Sequence, residues 1–172
     1  MNRANSKQFR ILAITPSSRG FGFAVLEGQE HLVNWGVKSV VGDKNAESIK
    51  KISELLTLYE PKTIVIQNTL AKDSRRSPRI QILCQEISNL ATKHKIKARL
   101  FSRTQINKAF FAGEKRTKHE IAKILAKRFP QELGSRLPPE RKAWMSADYR
   151  MDIFDAVALA MINGLQNERK LS

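Results

Sequence analysis

Residues 9–27 read FRILAITPSSRGFGFAVLE. Phe9–Ile14 is a short, apolar, β-branched run that stops at Thr15-Pro16-Ser17-Ser18-Arg19-Gly20, a cluster of turn formers, so a strand is expected to leave into a tight loop. Gly20–Glu27 then alternates Gly20, Gly22 and Ala24 against Phe21, Phe23 and Val25, and after Gly28-Gln29 a strand pattern resumes over His31–Val41. Three strands joined by short turns predict an antiparallel meander.

Working outward, Asp43 or Asn45 can cap a helix reaching Tyr59, with Ile49, Ile52, Leu55 and Leu56 on one face and Pro61 closing it. Thr63–Gln67, TIVIQ, reads as a buried strand, and Asn68–Arg79 as a basic loop. Pro78 suits the first helical position after Ser77, with Ile80, Leu83, Cys84, Ile87, Leu90 and Ala91 following at helical spacing. The Cys84 thiol accordingly reads as a small buried hydrophobe. A strand over Ile96–Phe101 precedes a short helix from Ser102 to Phe110, and Thr117 with Glu120 forms a capping box for a helix ending at Pro130. Gln131–Arg150 reads as irregular and polar, and Met151–Gln166 as a strongly apolar helix. The order β-β-β-α-β-α-β-α-α-loop-α, without internal repeat or long linker, predicts one α/β domain over residues 1–172 on a mixed sheet, with residues 1–8 a flexible basic terminus.

Composition narrows the partners. Among the 172 residues, 31 Lys and Arg stand against 16 Asp and Glu, a formal charge of +15. A polyanion follows, nucleic acid before an anionic membrane or acidic protein. The 41% hydrophobic content fits a folded globule. A single cysteine and three histidines leave no thiolate zinc site and no disulfide scaffold, so a reducing intracellular location is expected. No apolar run approaches the roughly 18 to 20 residues of a membrane span, and MNRANSKQFR lacks a signal-type apolar stretch.

In such a sheet the first and fourth strands end side by side, and the last helix can start against them. Those places carry Thr15, Gln67 and the pair Asp152 and Asp155, whose spacing of three puts both carboxylates on one helix face. By itself that pair fits either a cation or a helix dipole.

Three blocks bear on the choice. ILAITPSSRGFGFAVLE resembles the first strand, turn and second strand of RuvC-type Holliday-junction resolvases, which have a ribonuclease H-like fold. LYEPKTIVIQNTLAKDSRRSP resembles their fourth strand and basic loop, and MDIFDAVALAMING their terminal helix. The resemblance covers nearly the whole chain and implies a five-stranded sheet, three strands antiparallel and two parallel, with helices on both faces, a homodimer, and a cytoplasmic, nucleoid-associated protein.

Active members of that family hold two divalent ions with four acids, one ending the first strand, one ending the fourth and two on the last helix. Mapped onto this chain, Asp152 and Asp155 are the retained acids and candidate metal ligands, while Thr15 and Gln67 are neutral at the other two positions. Ser17 stands where the family's first turn has glycine. Two-metal hydrolysis needs carboxylates that bridge and neutralise the ions. The expectation is therefore a degenerate metal site that needs no cofactor for binding, or, in the alternative, a rearranged Mg²⁺- or Mn²⁺-dependent junction endonuclease that recruits Glu27, Asp73 or Asp148.

The basic residues fall in segments resembling the family's substrate loops: Arg19; Lys72, Arg75, Arg76 and Arg79; Lys115, Arg116 and Lys118; and Arg136, Arg141 and Lys142. Such groups contact phosphates without reading bases. Branched or duplex DNA is the expected partner, with structured RNA a further alternative and no membrane. Phe110, Phe111 and Trp144 are open to either base stacking or packing, and His119 reads as an exposed helix residue.

Overall fold

In the computed structural model, which describes residues 9–69, 76–111, 117–146 and 148–171, with side chains to residue 164, the five strands form one mixed sheet. β1 (Arg10–Pro16), β2 (Gly20–Glu27) and β3 (His31–Ser39) make the antiparallel meander. β4 (Thr63–Gln67) and β5 (Lys97–Phe101) add in parallel on the other side of β1, giving the order β3-β2-β1-β4-β5. β1 is therefore central, paired along both edges, which is why all but its first residue are buried.

The helix boundaries follow the capping chemistry. Asp43, rather than Asn45, caps α1 (Lys44–Tyr59) by accepting from Ala46 N at 3.1 Å, and Glu60 closes the helix in the left-handed region at φ 47°. Ser77 caps α2 (Pro78–Lys93) with proline in its first turn. Ser102 opens α3 (Arg103–Phe111), its hydroxyl accepting from Gln105 N while Gln105 Oε1 accepts from Ser102 N at 2.8 Å. Thr117 and Glu120 form the expected box at the start of α4 (Lys118–Arg128).

Two helix boundaries differ most from expectation. α4 stops at Arg128, and Pro130 begins a separate single turn, α5 (Pro130–Leu133), followed by a 3₁₀ turn over Gly134–Arg136, because proline fits a first helical turn better than a last one. The segment 131–150 is thus only partly irregular. α6 runs Met151–Leu171, beyond the expected Gln166.

Period-two alternation sends the strand side chains into two cores. Leu12, Ile14, Phe21, Phe23, Val25, Ile64 and Ile66 meet α1 and α2 on one face. Ile11, Ala13, Ala24, Leu26 and Val65 meet α6 and α3–α5 on the other. Cys84 lies in the first of these cores, where burial pushes its thiol up to about 11, as a structural cysteine requires. Ala13 and Ala24 are small residues of the α6 face, and α6 answers with Ala156, Ala158 and Ala160, which lets helix and sheet approach closely there. At Gly22 the approach is closest: a Cβ there would run into the backbone of Asp152.

Candidate functional site

Alternation also fixes the polar end of this face. One residue past the last β1–β4 pair, Ile14 opposite Ile66, stand Thr15 and Gln67, on the side where Ala13 and Val65 face α6. β5 ends in the same direction, with Phe101 opposite Gln67, so Ser102 and the start of α3 leave from the same edge. α6 begins beside Gly22 and delivers Asp152 and, one turn on, Asp155. The four positions singled out from the sequence thus converge, and a cleft forms among Thr15, Gln67 and Asp155 that is also lined by Arg76, Arg103 and Lys118.

Each neutral residue has a defined partner. Thr15, 3% exposed, donates its hydroxyl to the carbonyl of Asp152 at 2.9 Å, with the Gly22 carbonyl at 3.4 Å on the same oxygen. It ties the central strand to the first turn of α6. Gln67 Oε1 accepts from Arg76 Nε at 3.1 Å.

The acids are not alike. Asp155 pairs with Lys118, Nζ to Oδ2 at 3.2 Å, across 37 positions of sequence. Asp152 is pushed up to about 6, first by burial and then by the nearby Asp155 charge, partly offset by the Ser17 hydroxyl, Lys118 and Arg76. Among the described residues no group of three or more histidine, cysteine or acidic side chains is gathered as a metal-ligand set.

The other acids weighed from sequence lie elsewhere. Glu27 pairs with Arg10 at 3.0 Å; because β2 runs antiparallel to β1, the end of β2 lies at the start of β1, the opposite edge from Thr15. Asp148 is held by Arg150 at 2.7 Å, which keeps its carboxyl below the ordinary range. Asp73 lies outside the described residues, as do Lys72, Arg75, Lys115 and Arg116.

The remaining basic residues divide. Arg19 is exposed in the β1–β2 turn at the site's edge. Arg79 donates to Ser17 O at 3.0 Å and Asn45 Oδ1 at 2.9 Å, bracing that turn against α1. Arg141 donates to Met145 O, and Lys142 lies 5.7 Å from the Trp144 ring centre, in an exposed loop with Arg136 exposed before it. Trp144 is 79% exposed and covers no core, whereas Phe110 and Phe111 pack against the α6-side core. His119 departs from expectation: it is half-buried, and its Nε2 lies 2.9 Å from Pro138 O, anchoring the loop that leads to α6.

Arg103 is the cleft residue that the sequence did not single out. The available signal was its place, two residues past a parallel strand, at the carboxyl edge where open α/β sheets collect their ligands.

No protein-family model matches the chain, and no curated sequence does. Solved structures do match, and they define the fold as ribonuclease H-like, of the RuvC type. The Thermus thermophilus RuvC structure superposes with a TM-score of 0.69 at 13% identity, covering 94% of this chain and 97% of that one. The T. thermophilus RuvC complex with a Holliday junction substrate gives 0.67 at 15%, over 94% and 96%. The yeast mitochondrial Holliday junction resolvase gives 0.64 at 13%, over 95% and 83%. The resemblance read from three sequence blocks therefore extends to the whole architecture.

Proposed function

We propose that this protein binds branched DNA by shape and charge, as a RuvC-like scaffold without two-metal nuclease chemistry. The observation that carries this reading is the convergence of neutral Thr15 and Gln67 with Asp152 and with an Asp155 already paired to Lys118. The residues do not fit a two-ion centre. Two divalent ions bring four positive charges, whereas the one carboxylate lining the cleft, Asp155, is already paired to a lysine, and Asp152, at the start of the same helix, is pushed toward its neutral form. The Thr15 proton is committed to a backbone carbonyl, and the Gln67 oxygen already receives an arginine.

The junction-bound neighbour and the +15 charge support a DNA partner, with phosphate contacts carrying the affinity. A homodimer is part of the proposal, since a four-way junction presents two-fold related arms to a symmetric reader. No helix among the described residues is long and apolar enough to cross a membrane.

The test compares four-way-junction, duplex DNA and structured RNA at fixed salt, in EDTA and in Mg²⁺ or Mn²⁺. The expected result is preferential junction binding in EDTA, a steep salt dependence and no nicking with either metal. Metal-dependent cleavage abolished by Asp155→Asn would replace the binder with a nuclease. Equal affinity for all three nucleic acids would remove the branch preference, and a preference for RNA would move the substrate class.

A further inference from the structure

We infer that the cleft between the ends of β1 and β4 and the starts of α3 and α4 seats one DNA backbone phosphate, with Arg76, Arg103 and Lys118 supplying the positive charge in place of divalent ions. This rests on the reading of the protein as a DNA binder and assigns that site its chemistry.

The three cations arrive from three separate elements. Arg76 lies just ahead of α2, Arg103 is the first residue of α3 and Lys118 the first of α4. All three line the same cleft. Two helices thus present their amino ends toward it, adding partial positive charge to three full ones. The apolar side chains of Ile106, Ile121 and Leu159 complete the lining and keep the local dielectric low, which strengthens attraction for an anion.

The existing contacts leave these donors available. Arg76 uses its Nε on Gln67, and among the described residues four of the five guanidinium N–H groups have no acceptor. Lys118 spends one contact on Asp155, and among the described residues its other two ammonium hydrogens have no acceptor. Arg103 has no ion-pair or hydrogen-bond partner among the described residues, although it is half-buried in the cleft. A half-buried guanidinium without an acceptor among the described residues, lining one cleft with two cations already steered into place, is an arrangement that an anion completes.

The polar residues thereby change role. Asp155 and Gln67, at positions where the resemblance implies metal ligands, act here as positioning residues that aim Lys118 and Arg76. Thr15 holds the first turn of α6 against the sheet and contributes no charge. A phosphate entering the cleft meets cations that arrive with the fold.

The experiment uses the full chain and a fluorescent four-way DNA junction, titrated over a series of salt concentrations in EDTA and again in MgCl₂. The variants are Arg103→Gln, Lys118→Gln and the double, with thermal melting to confirm folding. The double variant is expected to bind about tenfold or more weakly, with the slope of log K against log salt shallower by about 0.9, the release expected for one phosphate. Wild-type affinity is expected to be no weaker in EDTA than in MgCl₂.

Strong junction binding with unchanged affinity and slope in the double variant would overturn the phosphate seat while leaving the DNA-binding reading intact. A slope change of about 2 would mean two separately contacted phosphates and would overturn the shared seat. Binding that requires Mg²⁺ would overturn the replacement of metal by side chains. Absence of junction binding by the wild type would defeat the underlying reading first. Should the double variant fail to fold, Arg103→Gln alone decides, because it breaks no hydrogen bond or ion pair among the described residues.

Discussion

The two faces of the sheet use the same strands for opposite purposes. Toward α1 and α2, β1 and β4 present Leu12, Ile14, Ile64 and Ile66, bulky side chains that fill space between sheet and helices. Toward α6, Ile11 and Leu26 are bulky at one end, but Ala13, Gly22 and Ala24 follow, and the strands finish at Thr15 and Gln67. A face packed with large side chains holds its helices at a distance set by those side chains. The small residues at the site end of the other face admit a helix backbone at Gly22, so a strand hydroxyl can reach a carbonyl in the first turn of α6. The site exists on the second face because the helix can come that near.

The sharpest way to break this contrast is to refill the close approach. Gly22→Val forces side-chain volume into the Asp152 backbone and is expected to cost about 3 kcal/mol or more of folding stability in urea denaturation. The size-reducing Ile64→Val on the opposite face is expected to cost only about 1 kcal/mol. Equal costs would mean that the two faces pack alike.

Next in size is Thr15→Asp. It puts a carboxylate against two carbonyl oxygens at a position 3% exposed, and a loss of about 2 kcal/mol is expected in EDTA. The same change with Gln67→Glu asks more of the site. Full recovery of stability with Mg²⁺, together with junction cleavage, would reveal a metal geometry that the observed contacts do not favour.

A smaller effect concerns pH. The folded chain holds the Asp152 proton more tightly than the unfolded chain, with a pKa of about 6 against 3.8. Stability from this group is therefore fully present below 3.8, falls as pH rises to about 6 and stays reduced above it. Asp152→Asn removes the penalty and is expected to add about 1 kcal/mol near neutral pH, after discounting for solvent screening, with no gain in acid. A gain independent of pH would assign the effect to packing.

The smallest expected change in stability is that of Lys118→Gln, about 0.5 kcal/mol, because the lysine side chain of its pair is 47% exposed. Its effect should appear instead in junction affinity. A large stability loss would mean that the pair serves the fold more than the ligand.

Much of this architecture was legible along the chain. Alternation marks the strands, Asp43, Ser77, Ser102 and Thr117 mark helix starts, and Thr15, Gln67, Asp152 and Asp155 fall at strand and helix ends. Local signals sufficed because capping and alternation act over two to four residues. Glu27 was less legible, since only strand direction tells which edge of the sheet it occupies. His119 was misread as exposed because its partner, the Pro138 carbonyl, lies 19 positions away.

By itself, then, the sequence determined the strands and the longer helices, their order, the strongly basic charge and the neutrality of two residues where the resemblance implies acids, but not the short α5 and the 3₁₀ turn after it. Only the tertiary structure decided what those residues touch. It paired Lys118 with Asp155 and Arg76 with Gln67, turned the Thr15 hydroxyl onto α6 and brought Arg103 into the same cleft. The physical reason is range: backbone preference is set by near neighbours in sequence, whereas an ion pair or hydrogen bond is chosen by distance in space. Here that distance depends on how closely the start of α6 settles against Gly22 and the small residues beside it.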